Sequence, residues 1–298
     1  MYSNQINKNK MKEKVQEILV NNGLDFNIIK EPLFGGNGNI TNYFGLFNSN
    51  TNECVNVVKE GYTVSQNDEI VEMVLRGMEP FGDKLSVSKA GSLNGGRKVF
   101  LQLAIDGKQK VGDDNITQYV TIIDSNDGST SLSIGIGDLC MRCQNQFYKF
   151  YKQGDAKFRH TATIEQKIRT IPMLIETALN QSMRQINIYN DFVSTPITRH
   201  LADKMVKEIL GYDKNITSVE DMSKKSTRSI NIMDALYNDI ETEINQVGLN
   251  KWALLGGITR YTTHTISSPK RDNGGIESSL VGTGYKMNQK ALEFLTIA

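Results

Sequence analysis

Between Met141 and Arg169 the chain gathers Arg142, Lys149, Lys152, Lys157, Arg159, Lys167 and Arg169 against Asp155 and Glu165, seven cations to two anions. Phe147, Tyr148, Phe150, Tyr151 and Phe158 are interleaved with them. Cations track phosphates while aromatic faces stack on unpaired bases, so the mixture suits a single-stranded nucleic acid. In that reading Arg142, Lys149, Lys152, Arg159 and Lys167 contact phosphate, together with Arg97 from an earlier hairpin. Tyr148 and Tyr151 stack with bases, and Asn145 and His160 either hydrogen-bond sugar or phosphate or fix the local turn. A plainer reading of the same segment is a helix that buries Phe147 and Tyr151 at i, i+4 and turns Arg142, Lys149 and Lys152 outward. Lys224, Lys225 and Arg228, in an expected loop, extend the basic surface.

Other chemistries find less support. His160, His200 and His264 are isolated in sequence and form none of the spacings that put metal ligands on one helix face. Cys140-Met141-Arg142-Cys143 is a CxxC without the second pair of a zinc site or the βαβ setting of a thioredoxin. Asp127-Gly128-Ser129 is a turn rather than a nucleophile elbow, and Gly35-Gly36-Asn37-Gly38-Asn39 lacks the Lys-Ser/Thr of a phosphate loop. Asp113, Asp114, Asp124 and Asp127 are suited to surround a divalent ion, or else are ordinary turn formers. No cofactor is implied.

The elements that must position these residues follow from periodicity. Met11, Val15, Ile18 and Leu19 make residues 10–21 a helix that Asn22-Gly23 ends. Residues 40–47 and 54–58 are β-rich and flank a turn. Residues 67–78 carry an i, i+4 apolar stripe. Strands are expected at 85–90, 99–105, 119–123 and 132–136, with hairpins at Asn94-Gly95-Gly96 and at Asp106-Gly107. After about residue 140 helices are expected at 164–186, 196–210, 230–246, 251–264 and 287–297, with turn-rich breaks at 211–228 and 266–284. The fold class is α+β: a mostly antiparallel sheet with one inserted helix in the amino-terminal half, and a helical carboxy-terminal half. Residues 1–22, 23–140 and 141–298 are the amino-terminal helix, the β-rich half and the helical half, the halves packing as one domain.

The 298 residues, 39% hydrophobic and 22% charged, are enough to bury a core, and the net charge of +1 confines any attraction for a polyanion to a local patch. Three cysteines are too few for a disulfide framework, and no run of about 18 apolar residues occurs. A reducing cytoplasm and no membrane span are expected.

Several short motifs, in order, carry a resemblance. They are Gly23-Leu24-Asp25-Phe26, Val57-Val58 through Gly61-Tyr62 to Gln66-Asn67, Ala90-Gly91-Ser92-Leu93 and Gly95-Gly96-Arg97. Asp127-Gly128-Ser129, Arg142-Cys143-Gln144-Asn145, Arg159-His160-Thr161, Asn250-Lys251-Trp252-Ala253 and Ser278-Ser279 with Gly282-Thr283-Gly284 follow. In these the chain resembles the phage- and plasmid-related proteins grouped as a domain of unknown function, number nine hundred and thirty-two. Asn126 and Gln144 depart from the family pattern, where a histidine and a small hydroxyl residue are usual. The resemblance implies a mobile-element origin and a bacterial host cytoplasm. Together with the basic aromatic segment it is reminiscent of single-strand annealing recombinases, an analogy at the level of the fold.

The expected function is therefore a single-stranded nucleic-acid-binding protein, DNA ahead of RNA, acting in recombination or replication and perfected by homo-oligomerisation that aligns many weak patches. Two alternatives stay open. One is a host-interaction or anti-defence protein whose basic segment meets a protein partner. The other is a metal-dependent nuclease using Asp124, Asp127 and His160.

Overall fold

The computed structural model describes residues 2–150, 157–212, 226–266 and 274–298. The chain forms two compact units that interleave along the sequence rather than dividing at residue 140. The first comprises residues 1–107, 119–136 and 150–181, the second residues 108–118, 137–149 and 182–298.

In the first unit α1 (Tyr2–Asn21) buries Val15 and Leu19. It stops where Gly23 takes a positive φ of 62° and Leu24 N–H reaches back to the Leu19 carbonyl, the six-to-one bond of a Schellman end. Strands β1 (Ile28–Phe34), β2 (Ile40–Asn48) and β3 (Cys54–Lys59) form an antiparallel sheet in the order β1-β2-β3. Helix α2 (Asn67–Met78) follows, with Ile70, Val71 and Val74 in the core. Its first turn is tied to β1 because the Gln66 amide bonds both the N–H and the carbonyl of Ile28. Gly77 leaves room for Pro172 and Ile175, since a Cβ there would lie 2.9 Å from the Pro172 Cα.

The larger sheet of this unit uses β4 (Leu85–Leu93), β5 (Lys98–Ile105), β7 (Asp114–Ser125), β8 (Leu132–Cys140) and β10 (Lys157–Phe158), in the order β10-β8-β7-β5-β4. Leu101 pairs with Ile122 and Leu103 with Val120, which puts these side chains on the face that joins the core of α2, α3 (Ile164–Ile168) and the start of α4 (Ile171–Ser194). Phe100 and Ile123, on the other face, are buried too. Asn94-Gly95-Gly96 does join a hairpin, β4 to β5. The strands flanking Asp106-Gly107 pair as expected, β5 with β7 over seven residues, but their connection is longer than a tight turn: the short β6 (Gln109–Val111) folds back on the start of β7 through Gly112 and Asp113.

In the second unit the β pattern persists past residue 140, against expectation. β9 (Gln146–Phe150) pairs with β8, and Cys140 N–H donates to the Asn145 carbonyl. The helical reading of this segment is thereby corrected: three aromatics in five residues favour a strand once β8 offers a free edge. Helices α5 (Arg199–Leu210), α6 (Thr227–Val247), α7 (Lys251–Arg260), α8 (Gly274–Leu280) and α9 (Thr283–Ile297) complete the unit. Thr198, Ser226 and Asn250 cap α5, α6 and α7 by accepting backbone N–H bonds. The core joins Ile186, Tyr189 and Phe192 of α4 to Met205, Ile240, Trp252, Leu255, Ile258 and Leu292. The expected α+β class stands, with antiparallel sheets ahead of a helical carboxy-terminal half. No helix among the described residues is long and apolar enough to cross a membrane.

Helices α6 and α7 approach so closely at Gly257 that a Cβ there would sit 2.5 Å from the Ile240 Cα. Backbone cannot yield as a side-chain end can, so Gly257→Ala is expected to lower stability by about 1–3 kcal/mol, read as a reduced urea midpoint at unchanged slope.

Candidate functional site

The motif residues fold into polar networks, one in the first unit and two adjoining ones in the second. In the first unit Asp124 on β7 is buried beside Ser65, just before α2, and His160, just before α3. Ser65 Oγ donates to Asp124 Oδ2 at 2.6 Å, and His160 Nε2 lies 2.8 Å from Asp124 Oδ1. His160 Nδ1 lies 3.3 Å from the Thr63 carbonyl, and its ring stacks on Tyr62 at 4.9 Å between centroids. Burial opposes a charge on the imidazole, but the bond and charge of Asp124, with the Thr63 carbonyl, carry the His160 pKa above its ordinary value. Ser65 Oγ lies 3.4 Å from His160 Nδ1, a nitrogen that also faces the Thr63 carbonyl, and makes its shorter bond to the carboxylate. Ser, His and Asp are thus all present without the relay of an acyl-transfer site.

Next to this network Lys98 Nζ pairs with Asp127 Oδ2 at 2.9 Å, both nearly buried. The Ser129 N–H donates to Asp127 Oδ1, closing the Asp-Gly-Ser turn, with Gly128 at φ 72°. Burial raises the Asp127 pKa, but Ser129 and Lys98 outweigh it and hold the carboxyl below its usual range. Asp124 and Asp127 are therefore engaged with Ser65, His160 and Lys98, and Asp114 belongs to the other unit. Among the described residues no group of three or more His, Cys, Asp or Glu is placed to hold a metal ion.

In the second unit Arg142 projects from the β8–β9 turn. Its Nε donates to Asp114 Oδ1 at 2.6 Å, and its Nη2 donates to Asp114 Oδ2 at 3.2 Å and to Glu243 Oε2 at 3.0 Å. Gln246 accepts from Nη1. Both carboxylates are buried, Asp114 to 3% and Glu243 to 1% exposure. Trp252 Nε1 donates to Asp114 Oδ2 at 2.9 Å, and Asn145 Nδ2 to Glu243 Oε1 and the Gly256 carbonyl, each at 3.1 Å. Burial works against the charge of Asp114, but Arg142 and Trp252 hold its pKa below the ordinary value. Asn145 has its Oδ1 buried and without a partner among the described residues.

The third network surrounds Asp138 of β8, which accepts from Gln118 Nε2 at 2.8 Å and from Tyr189 OH at 2.7 Å. Burial dominates there and pushes the carboxyl up to about 6. Lys149 donates to Gln185 at 3.3 Å.

The residues expected to bind nucleic acid are divided between the two units. Arg97, Arg159, His160 and Lys167 fall in the first unit, and Arg142, Asn145, Tyr148 and Lys149 in the second. Tyr151 and Lys152 lie outside the described residues, as do Lys224 and Lys225. Tyr148 is buried, its hydroxyl donating to Gln146, so it offers no face to a base. Arg142, Asn145 and His160 are held in internal networks. Arg97 and Arg159 are exposed and Lys167 half-buried. Ser65 and Glu243 carry no motif in the sequence, and Trp252 enters only through the family motif Asn250-Lys251-Trp252-Ala253. Glu243 did leave a signal, a carboxylate in the buried stripe Leu236, Ile240, Glu243 of α6.

The fold and these networks define an α+β protein of two interleaved units whose motif residues largely stabilise buried carboxylates. The chain matches the family model described as Domain of unknown function (DUF932) over residues 55–283, more than half its length, and belongs to that family. No curated protein and no solved structure matches it.

Removing Arg142 leaves buried Asp114 without its cation and Glu243 with only the longer 3.7 Å contact of Arg260. Arg142→Ala is expected to destabilise the protein by about 3 kcal/mol in urea unfolding, against less than about 0.5 kcal/mol for Arg159→Ala. For Asp138 the folded-state pKa is the higher one, so the folded state binds the extra proton and stability falls as pH rises between the unfolded value and about 6. The stability difference between the native protein and Asp138→Asn should shift against the native protein by about 2 kcal/mol from pH 4 to 6.5, then stay level.

Proposed function

We propose that this protein binds single-stranded nucleic acid, DNA ahead of RNA, with the uncovered face of the β1-β2-β3 sheet as its stacking surface. The carrying observation is that this sheet has exposed apolar residues on the face turned away from its core. Ile28, Leu46 and Val58 point into the core. On the opposite face Ile29, Tyr43 and Val57 are 42%, 48% and 52% exposed, with Phe47 folded over Gly45 between them and the exposed Glu31 opposite Gly45. A solvated antiparallel face is ordinarily polar, so an apolar cluster beside one carboxylate points to a ligand or partner.

Nucleic acid is favoured by what accompanies the apolar residues. Tyr43 lies directly opposite Lys59 in the β2–β3 register, so a ring and a cation stand side by side. Stacking platforms for single strands need that combination. Arg97 donates to the carbonyls of Val55 and Cys54 at the start of β3, which hold its guanidinium in place without cancelling its charge. Arg159 and Arg169, exposed and without an ion-pair partner among the described residues, add cations to the same unit. A chain of net charge +1 gains affinity by lining up copies, in keeping with an oligomer. A role in recombination or replication of a phage or plasmid, including strand annealing, rests on the family resemblance and extends the same reading.

Fluorescence anisotropy of a labelled single-stranded oligonucleotide at two salt concentrations, with a duplex control, tests this. Tyr43→Ala should weaken single-strand binding by about 5- to 100-fold, as loss of one stacked base does. Lys59→Ala and Arg97→Ala should each reduce the salt slope by about 1. No binding at low salt, or binding indifferent to Tyr43→Ala, would overturn the proposal and leave the apolar face to a protein partner.

A further inference from the structure

Cys140 and Cys143 flank the turn that carries Arg142, and nothing in the nucleic-acid reading uses them. All three cysteines of the chain are free thiols. Cys140 is 6% exposed and Cys143 half-buried, whereas Cys54 is exposed. The turn is tight: Gln144 N–H donates to the Cys140 carbonyl at 2.8 Å, and Gln144 takes a positive φ of 56° that reverses the chain. The reversal leaves Cys140 and Cys143 on the two sides of one turn. Both also line one cavity of about 30 Å³, with Asp138, Asn145, Glu243 and Trp252 among its other walls. That volume holds about one or two water molecules. The unpartnered Asn145 Oδ1 belongs to a residue of the same wall, an acceptor awaiting a small donor.

We infer that Cys140 and Cys143 form a modification site at which hydrogen peroxide converts the dithiol to an intramolecular disulfide. The cavity admits a two-oxygen molecule that can donate to Asn145 Oδ1, and it excludes a bulky disulfide such as oxidised glutathione. The hydrogen bond from Cys143 outweighs burial and holds the Cys140 thiol down at about 7, while the Cys143 thiol is pushed up by the same contact and by burial. Cys140 is therefore the nucleophile. Its thiolate sulfur attacks one peroxide oxygen, the O–O bond breaks, and the departing hydroxide takes up the proton that Cys140 had released, leaving Cys140 as a sulfenic acid and one water. The Cys143 sulfur then attacks the Cys140 sulfur; the S–S bond forms, the S–O bond breaks, and the leaving hydroxide takes the Cys143 proton as a second water. Both thiols together supply the two electrons that reduce one peroxide.

The experiment uses the full chain, reduced, exposed to hydrogen peroxide at pH 7, then alkylated with N-ethylmaleimide and mapped by mass spectrometry. Cys140 and Cys143 should become resistant to alkylation as a linked pair that dithiothreitol restores, while Cys54 remains alkylated. The pair should oxidise at least about tenfold faster than the cysteine of an unstructured peptide, following its larger thiolate fraction. In Cys143→Ser the reaction should stop at a Cys140 sulfenic acid that dimedone traps. Full alkylation of both cysteines after peroxide, or oxidation no faster than the peptide, would overturn the inference. Oxidation by glutathione disulfide as fast as by peroxide would overturn the role given to the cavity.

Discussion

The burial of two carboxylates, Asp114 and Glu243, around the guanidinium of Arg142 is the constraint on which the second unit depends. Each charge withdrawn from water costs several kcal/mol unless its lone pairs are met. A planar guanidinium meets both at once because its donors form a rigid fork, here reaching Asp114 through Nε and Nη2 and Glu243 through Nη2. Lysine, a point donor, would leave oxygens of one carboxylate exposed to apolar surroundings. The requirement propagates outward. The β8–β9 turn must place Arg142 and Asn145 on the same cluster, α6 must present Glu243 from its buried stripe, and α7 must start where Trp252 reaches Asp114. The close approach of α6 and α7 at Gly257 serves the same end, since it brings the Gly256 carbonyl within reach of Asn145.

The first unit solves the same problem with different residues. Asp124 is as buried as Glu243 and has no arginine; a serine hydroxyl and an imidazole saturate its two oxygens, and the Thr63 carbonyl accepts at the far side of the ring. Residue types that in an open cleft would suggest catalysis are here buried and bonded to one another. Arg142, Asn145 and His160, which stood out in the sequence as polar groups near aromatics, are accounted for by these internal demands.

Much of the fold was legible because it rests on local periodicity. Helix α2 lies where its i, i+4 stripe placed it, and β2, β3, β4, β5, β7 and β8 coincide with β-branched runs. What was not legible depended on partners distant in sequence. Residues 109–111 became a strand against the start of β7, and residues 146–150 became a strand because β8 offered an edge to extend. The aromatic residues of that stretch have equal value to a helix core and a strand until a neighbour decides. Of the expected site, the exposure of Arg97 and Arg159 agrees with a binding role, whereas the burial of Tyr148 and the pairing of Arg142 do not. Neither burial nor pairing can be read from composition, because the carboxylates that decide them lie 28 and 101 residues away from Arg142.

A basic residue can neutralise an internal carboxylate or meet an external phosphate, but its charge cannot serve fully for both. In this chain Arg142, Lys98 and Arg260 answer to Asp114, Asp127, Asp239 and Glu243. The first unit's cations are dispersed among carboxylates in about equal number, so a nucleic acid held there draws more of its affinity from stacking on Tyr43 and its apolar neighbours than from counterion release. Stacking is tolerant of sequence because every base has a face. A surface of that kind favours unpaired strands over duplex, whose bases are already stacked on one another, and it does so without a strongly basic chain.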